Sequence, residues 1–364
     1  MFPWAVMNSG LKMATVARFF QERFLLLLLA CYLLAGLLPG PGLLIRDLSA
    51  GAVSFGGSRV VISSSMMLLA VLLVNASLSV ARPSAMFTSP RLLAAGLAAN
   101  LFLPALFLLP VSMMLTHWGG ADNLQSIIVA LALVSAVPVA GASTAYTQNA
   151  EGDLSLAVGL VMVSTVLSPL LMPLSLNLVN FSAEGDYTAA MQGLKGGASV
   201  LALLFSVVIP SVAGLLLRPV IGGGRIDSAK PLLKILNSCS LLLLNYSNAS
   251  AVFPRVFGSP DWSFLGLVFL FTPCLCLIDF ATGWWLGSRI GNSRPQSLAM
   301  MFGVGLNNNS SALVLAAPVF ADRPKFLVPI ILYGLIQHLI AGGSAVVVAP
   351  VRRDPDQPSG QGVS

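Results

Sequence analysis

The chain alternates long apolar runs with short polar pieces. Ten stretches of mostly apolar residues fall at 24–45, 60–81, 92–115, 125–149, 154–180, 197–217, 232–253, 262–287, 296–320 and 326–349. Each approaches or exceeds the roughly 20 residues that a helix needs to cross the hydrocarbon core. Between them lie turn-rich or charged pieces such as RPSAMFTSPR, SAEGDYTAAMQGLKGG and RPVIGGGRIDSAK. The pattern predicts an all-α integral membrane protein of about ten transmembrane helices. Composition agrees. Only 9% of residues are charged and 56% are hydrophobic, whereas soluble domains run near 25% charged. Lipid is the simpler solvent for such a chain.

The net charge of +6 suggests nucleic acid or acidic lipid as partners, but the 19 Lys and Arg lie almost wholly between the apolar runs. There they read as topology anchors, not as a nucleic-acid patch. With the N-terminus in the cytoplasm, 13 of them fall on the cytoplasmic side and 6 outside. The positive-inside rule then puts both termini in the cytoplasm, in agreement with an even span count, and the expected location is the plasma (inner) membrane. Residues 1–23 form a cytoplasmic segment without a cleavable signal, because the apolar run from Phe24 outlasts a signal h-region. Residues 351–364 read as a disordered tail. Cys31, Cys239, Cys274 and Cys276 sit inside apolar runs and imply neither a disulfide framework nor a zinc site.

The longest polar connector, 181–196, divides the apolar runs into halves at 24–180 and 197–350. Five spans per half force the second half to run inverted relative to the first, a recurring plan of secondary transporters. Span two contains LLVNASLSVA and span seven contains LLLNYSNASA, similar pieces at the same ordinal place.

Spans four and nine differ from the rest. They read SAVPVAGASTAYTQNA and FGVGLNNNSSALVLAAP, each with Gly and a cluster of hydroxyls or amides at its middle. Unpaired polar groups of this kind cost several kcal/mol each in hydrocarbon, and such spans are tolerated where they line a wet cavity or pack inside protein. Pro138 and Gly141 break span four. Gly303, Gly305 and the run Asn307, Asn308, Asn309 break span nine. A broken helix exposes carbonyls that suit a cation and N-termini that suit an anion. Two ionisable residues lie in other spans: Asp279 in span eight and His338 in span ten. An intramembrane acid suggests a functional site; His338 reads as a hydrogen-bonded structural histidine or a coupling group. No paired carboxylates, Ser–His–acid set or metal-ligand cluster points to an enzyme.

At the two interrupted helices the sequence resembles the bile acid:sodium symporter family. The resemblance is carried by Pro138, Ser143, Thr147, Ala150, Gly152-Asp153, Val163-Ser164-Thr165 and Pro169, by Val304-Gly305-Leu306-Asn307-Asn308, by His338 and Gly342, and by LLAGLLPGPG at 33–42. It implies ten helices in two inverted five-helix repeats, with helices four and nine unwound and crossing at the midplane. It also implies sodium-coupled symport of a small organic anion, with no organic cofactor. Carried over, the substrate would meet Ser143, Thr144, Thr147, Asn308 and Asn309, and sodium would meet Ser143, Thr144, Val304, Leu306 and Asn307. Several family oxygens are absent. Two helix-five hydroxyl positions are Ala157 and Val161, the helix-nine Glu falls at Gly303, and a helix-three Gln falls at Ala99 or Asn100. A hard cation needs several oxygens, and a carboxylate supplies most of the attraction. The sequence therefore leaves open a single weaker sodium, proton coupling through Asp279 or His338, an uncoupled carrier, or a non-transporting sensor or binding protein on the same scaffold.

Overall fold

The computed structural model describes residues 13–20, 22–55, 58–78, 87–115, 121–179, 192–194, 196–320 and 323–348. Helices α1 (Met13–Phe20), α2 (Phe24–Leu37) and α3 (Pro39–Asp47) lead into a two-stranded antiparallel hairpin, β1 (Ser49–Phe55) and β2 (Ser58–Ser63). Then follow α4 (Ser64–Leu78), α5 (Pro90–Leu115), α6 (Ala121–Ala136), α7 (Ala142–Asn149) and α8 (Leu154–Val179). The second half holds α9 (Gly197–Ile221), α10 (Gly223–Gly258), α11 (Trp262–Ile290), α12 (Arg294–Gly305), α13 (Asn309–Val319) and α14 (Leu327–Val348). Among the described residues, α5, α8, α9, α11 and α14 each contain a stretch long and apolar enough to cross a membrane alone. Large apolar side chains such as Leu33, Leu106, Leu170 and Val220 point outward, as a lipid-facing surface requires. The protein is a multi-pass, all-α membrane protein.

Two local expectations are corrected. Residues 60–63, read as the start of span two, belong to β2, where Val60 and Val61 pair with Val53 and Ala52. β-branched residues favour the extended form, and the helix begins only at Ser64. The piece RPVIGGGRIDSAK, read as a connector, is nearly all helical. Gly222, at φ +91°, makes the corner alone, and α10 starts at the next residue.

Packing is tightest between α11 and α12. A Cβ at Gly283 would strike the Met300 and Met301 backbone, and one at Gly287 would strike Ser297; small residues let membrane helices approach this closely. The main core runs through the bundle, with Phe264, Phe302, Phe326 and Tyr333 among its fully buried side chains. A second, smaller core joins Leu92 and Leu93 of α5, Leu156, Leu160 and Val161 of α8, and Met300 and Val304 of α12.

Asp261 fastens one end of the bundle. As N-cap of α11 it accepts hydrogen bonds from Ser263 Oγ (2.7 Å), the Phe264 N–H (3.1 Å), Lys325 Nζ (3.2 Å) and Asn123 Nδ2 (3.0 Å). It thereby ties α6, α11 and the turn before α14. These donors, Ser263 foremost, hold its carboxyl well below the usual carboxylate range. Asp261→Ala is expected to cost about 1 kcal/mol, as for loss of a helix cap. The wild-type contribution is present above an ordinary aspartate value of 3.8 and is lost as pH falls below it. Thermal melts of both proteins across acidic pH check this: the gap should close with acid, and a pH-independent gap contradicts it.

Candidate functional site

Both interrupted helices break where the sequence places their polar clusters. Pro138 has no N–H to give and excludes the helical region for the residue before it, so α6 stops at Ala136 and α7 starts at Ala142. The other break lies at residues 306–308, where Leu306 is extended (φ −113°, ψ 105°). Asn308 then restarts the chain as N-cap of α13, its Oδ1 accepting from the Ser311 N–H at 3.3 Å.

The two breaks pair with each other. Val139 and Asn307 form an antiparallel bridge. The Ala140 N–H donates to the Leu306 carbonyl (2.8 Å), and the Asn308 N–H donates to the Pro138 carbonyl (2.9 Å). These bonds exchange places when the segments are exchanged, the local two-fold pattern of an antiparallel bridge. Side chains complete the pairing. Ser164 Oγ of α8 accepts from the Val139 N–H (3.0 Å) and donates to the Val161 carbonyl (3.1 Å). Gln337 of α14 acts as a one-residue strand partner: its Oε1 accepts from the Asn307 N–H (3.0 Å) and its Nε2 donates to the Asn307 carbonyl (3.1 Å).

Asp279 reaches this crossing through one hydroxyl. Tyr333 Oη donates to Asp279 Oδ2 at 2.6 Å and accepts from Asn307 Nδ2 at 3.3 Å. All three residues are buried. His338 belongs elsewhere: its Nδ1 lies 3.3 Å from Tyr146 Oη, and its ring meets Phe24 edge-on. Tyr146 in turn stacks on Phe302, with centroids 5.7 Å apart. The two ionisable residues singled out in the sequence therefore serve different clusters.

The remaining site residues flank the crossing. Ser143 Oγ and Thr147 Oγ1 on α7, and both side-chain polar atoms of Asn309 and Ser311 Oγ on α13, are buried without a protein hydrogen-bond partner. Thr165 Oγ1 on α8 and Asn307 Oδ1 at the break are likewise unpartnered. Thr144 Oγ1 donates to the Gly141 carbonyl at 2.8 Å and keeps its acceptor lone pairs. Buried polar atoms left open in this way call for a ligand or water.

A sodium ion does not fit the residues at the first family position. A Cβ at Gly303 would collide with Leu160 Cδ1, so the space where the family carries its Glu is filled by leucine. Ala157, Val161 and Val304 share the same apolar core. At the second position, Ser143 Oγ and Asn307 Oδ1 are buried without a protein partner, Thr144 Oγ1 keeps its lone pairs while donating to the Gly141 carbonyl, and Leu306 O already accepts one hydrogen bond. Among the described residues no group of three or more His, Cys, Asp or Glu could hold a metal ion.

Sequence reasoning missed Ser164 as a backbone partner and missed Tyr333 and Gln337 altogether. A signal existed: Tyr333 and Gln337 are four residues apart in an apolar span, hence on one helix face.

The sequence matches the family model described as the SBF-like CPA transporter family over residues 22–352. It is 28% identical over 243 residues to "Uncharacterized protein YbaS" of Bacillus subtilis (strain 168), covering 65% of this chain and 75% of that one. It is also 28% identical over 217 residues to "Uncharacterized protein PA2026" of Pseudomonas aeruginosa, covering 58% of this chain and 62% of that one.

The filled cation position is testable by stability. Gly303→Ala sets a methyl against Leu160 Cδ1 and is expected to cost about 1–3 kcal/mol of overpacking, offset by up to about 1 kcal/mol from alanine's better helix propensity, for a net lower melting temperature in lipid nanodiscs. Leu160→Ala in the same chain should recover part of the loss. If the two changes simply add, Leu160 does not occupy that space.

Proposed function

Because the chain belongs to the SBF-like CPA transporter family, we propose that it is a secondary transporter that moves a small organic anion across the plasma membrane by alternating access. The observation that carries this reading is the crossing: two broken helices whose backbones are paired while buried hydroxyls and amides beside them have no protein partner. Irregular backbone at membrane depth accompanies binding sites in transporters of this general plan. The span count that goes with it is ten. α2/α3, α4, α5, α6/α7 and α8 make one half, and α9, α10, α11, α12/α13 and α14 make the other, inverted half, with the fourth span broken in each. Both termini then lie in the cytoplasm.

An anion suits the site on electrostatic grounds. Both α7 and α13 begin at the crossing, and helix N-termini carry partial positive charge. Ser143, Thr144, Thr147, Asn308 and Asn309 line the central site in this reading, with Asn309 and the hydroxyls of Ser143 and Thr147 as donors. The bundle that contains α6/α7 and α12/α13 rocks against the remaining helices to expose the site to either side. Coupling does not run through the first sodium position, because Leu160 fills it.

Two outcomes are expected in proteoliposomes supplied with a panel of radiolabelled mono- and dicarboxylates. Asn308→Ala removes the cap of α13 together with a lining amide, and should abolish uptake of any compound that wild type accumulates, with membrane abundance unchanged. Normal uptake by that variant would sink the assignment. Replacing sodium by choline should leave wild-type uptake intact; a collapse of uptake would show that sodium is the driving ion.

A further inference from the structure

The crossing carries a charge-bearing group that the transport reading does not use. Asp279 is 3% exposed and Tyr333 is fully buried. Helices α5, α6, α12 and α14 pack against α11. Of these, only α14 presents a titratable side chain to Asp279, Tyr333; Cys276 faces it from one turn earlier on its own helix. Among the described residues, no Lys, Arg or His forms an ion pair with Asp279. A buried carboxyl of this kind, with one hydroxyl for a partner and no counter-charge, changes charge by taking up or losing a proton, and intramembrane acids recur in proton relays.

Resting on the transport reading, we propose that Asp279 is the proton-carrying group of this transporter and that the Tyr333 hydroxyl reports its charge to the break between α12 and α13 through Asn307. The hydrogen bonds have two self-consistent directions. With Asp279 ionised, Tyr333 donates to Asp279 Oδ2 and accepts from Asn307 Nδ2, as observed. With Asp279 protonated, its new O–H donates to the Tyr333 oxygen. The Tyr333 O–H then turns towards Asn307, whose amide flips to offer Oδ1. That oxygen is buried and unpartnered in the observed direction, so the flip gives it a donor. The flip also moves Nδ2 away from Tyr333, where it can serve the central site. The Asn307 backbone stays where Gln337 holds it. One proton enters and leaves at the Asp279 carboxyl, and no covalent bond changes elsewhere.

The test needs no transported compound, so it can fail while uptake persists. Full-length protein in lipid nanodiscs is compared in acidic and alkaline buffer by infrared difference spectroscopy. The expected result is a protonated-carboxyl band that is lost in Asp279→Asn and shifted in Tyr333→Phe, which keeps the acid but removes its partner. A band unchanged in both variants overturns the proposal, and so does the absence of any carboxyl band in wild type. The second arm reads the crossing itself. Thr144→Cys is placed in a chain with Cys31, Cys239 and Cys274 changed to Ser, and labelled with a membrane-impermeant maleimide. Labelling should change with pH beyond the reagent's own pH dependence. That change should vanish with Asp279→Asn and be altered with Tyr333→Phe; its persistence in both overturns the link from Asp279 to the break.

Discussion

Hydrocarbon offers no hydrogen-bond partner, so a helix can break inside a membrane only where the protein itself satisfies the freed backbone groups. Here each break supplies what the other lacks. Pro138, Val139 and Ala140 meet Leu306, Asn307 and Asn308 as two short extended segments, joined by one antiparallel bridge. A single bridge does not pair every group, and the rest is done by side chains from other helices. Ser164 takes the Val139 N–H, and Gln337 takes both backbone groups of Asn307. The positions of α8 and α14 beside the crossing follow from this requirement as much as from apolar packing.

Backbone and side chains at the crossing thus have opposite status. The backbone is paired and fixed, while Ser143, Thr147, Asn309 and Ser311 hold polar atoms with nothing to bind within the protein. This division lets one structural element be both the rigid pivot and the polar lining of a site. A few residues away the same scaffold is dry. Gly303 exists so that Leu160 can lie against α12, and Ala157, Val161 and Val304 close around it. The chain keeps the crossing of the bile acid:sodium symporter plan without the oxygens of its first cation position, and among the described residues the one buried acid is Asp279, on the far side of Tyr333.

The crossing was legible because its residues contradict their surroundings: proline, glycine and three successive amides stand inside otherwise apolar runs. The charge on Asp279 stood out for the same reason. What escaped notice were the partners. Tyr333 and Gln337 look like ordinary interruptions of a final span, and only the placement of α14 against the break gives them their roles. Ser164 was seen as part of a resemblance, not as the acceptor for Val139. His338 was visible but is turned towards Tyr146 and Phe24, away from Asp279. The hairpin at 49–63 and the one-residue corner at Gly222 were hidden by apolar content and by three successive glycines, of which only Gly222 has a positive φ.

In the transport reading proposed above, the paired break is the working centre, and the Gln337 amide holds its Asn307 backbone in place. Gln337→Leu keeps the shape of that side chain approximately while leaving the Asn307 N–H unpaired and its carbonyl with the Asn309 N–H alone, at a cost of about 1–3 kcal/mol for the orphaned N–H. Carboxylate uptake measured in proteoliposomes from this variant should be lost while the protein still inserts and folds. Uptake equal to wild type would mean that the crossing does not depend on Gln337 and that the paired break is not the working centre.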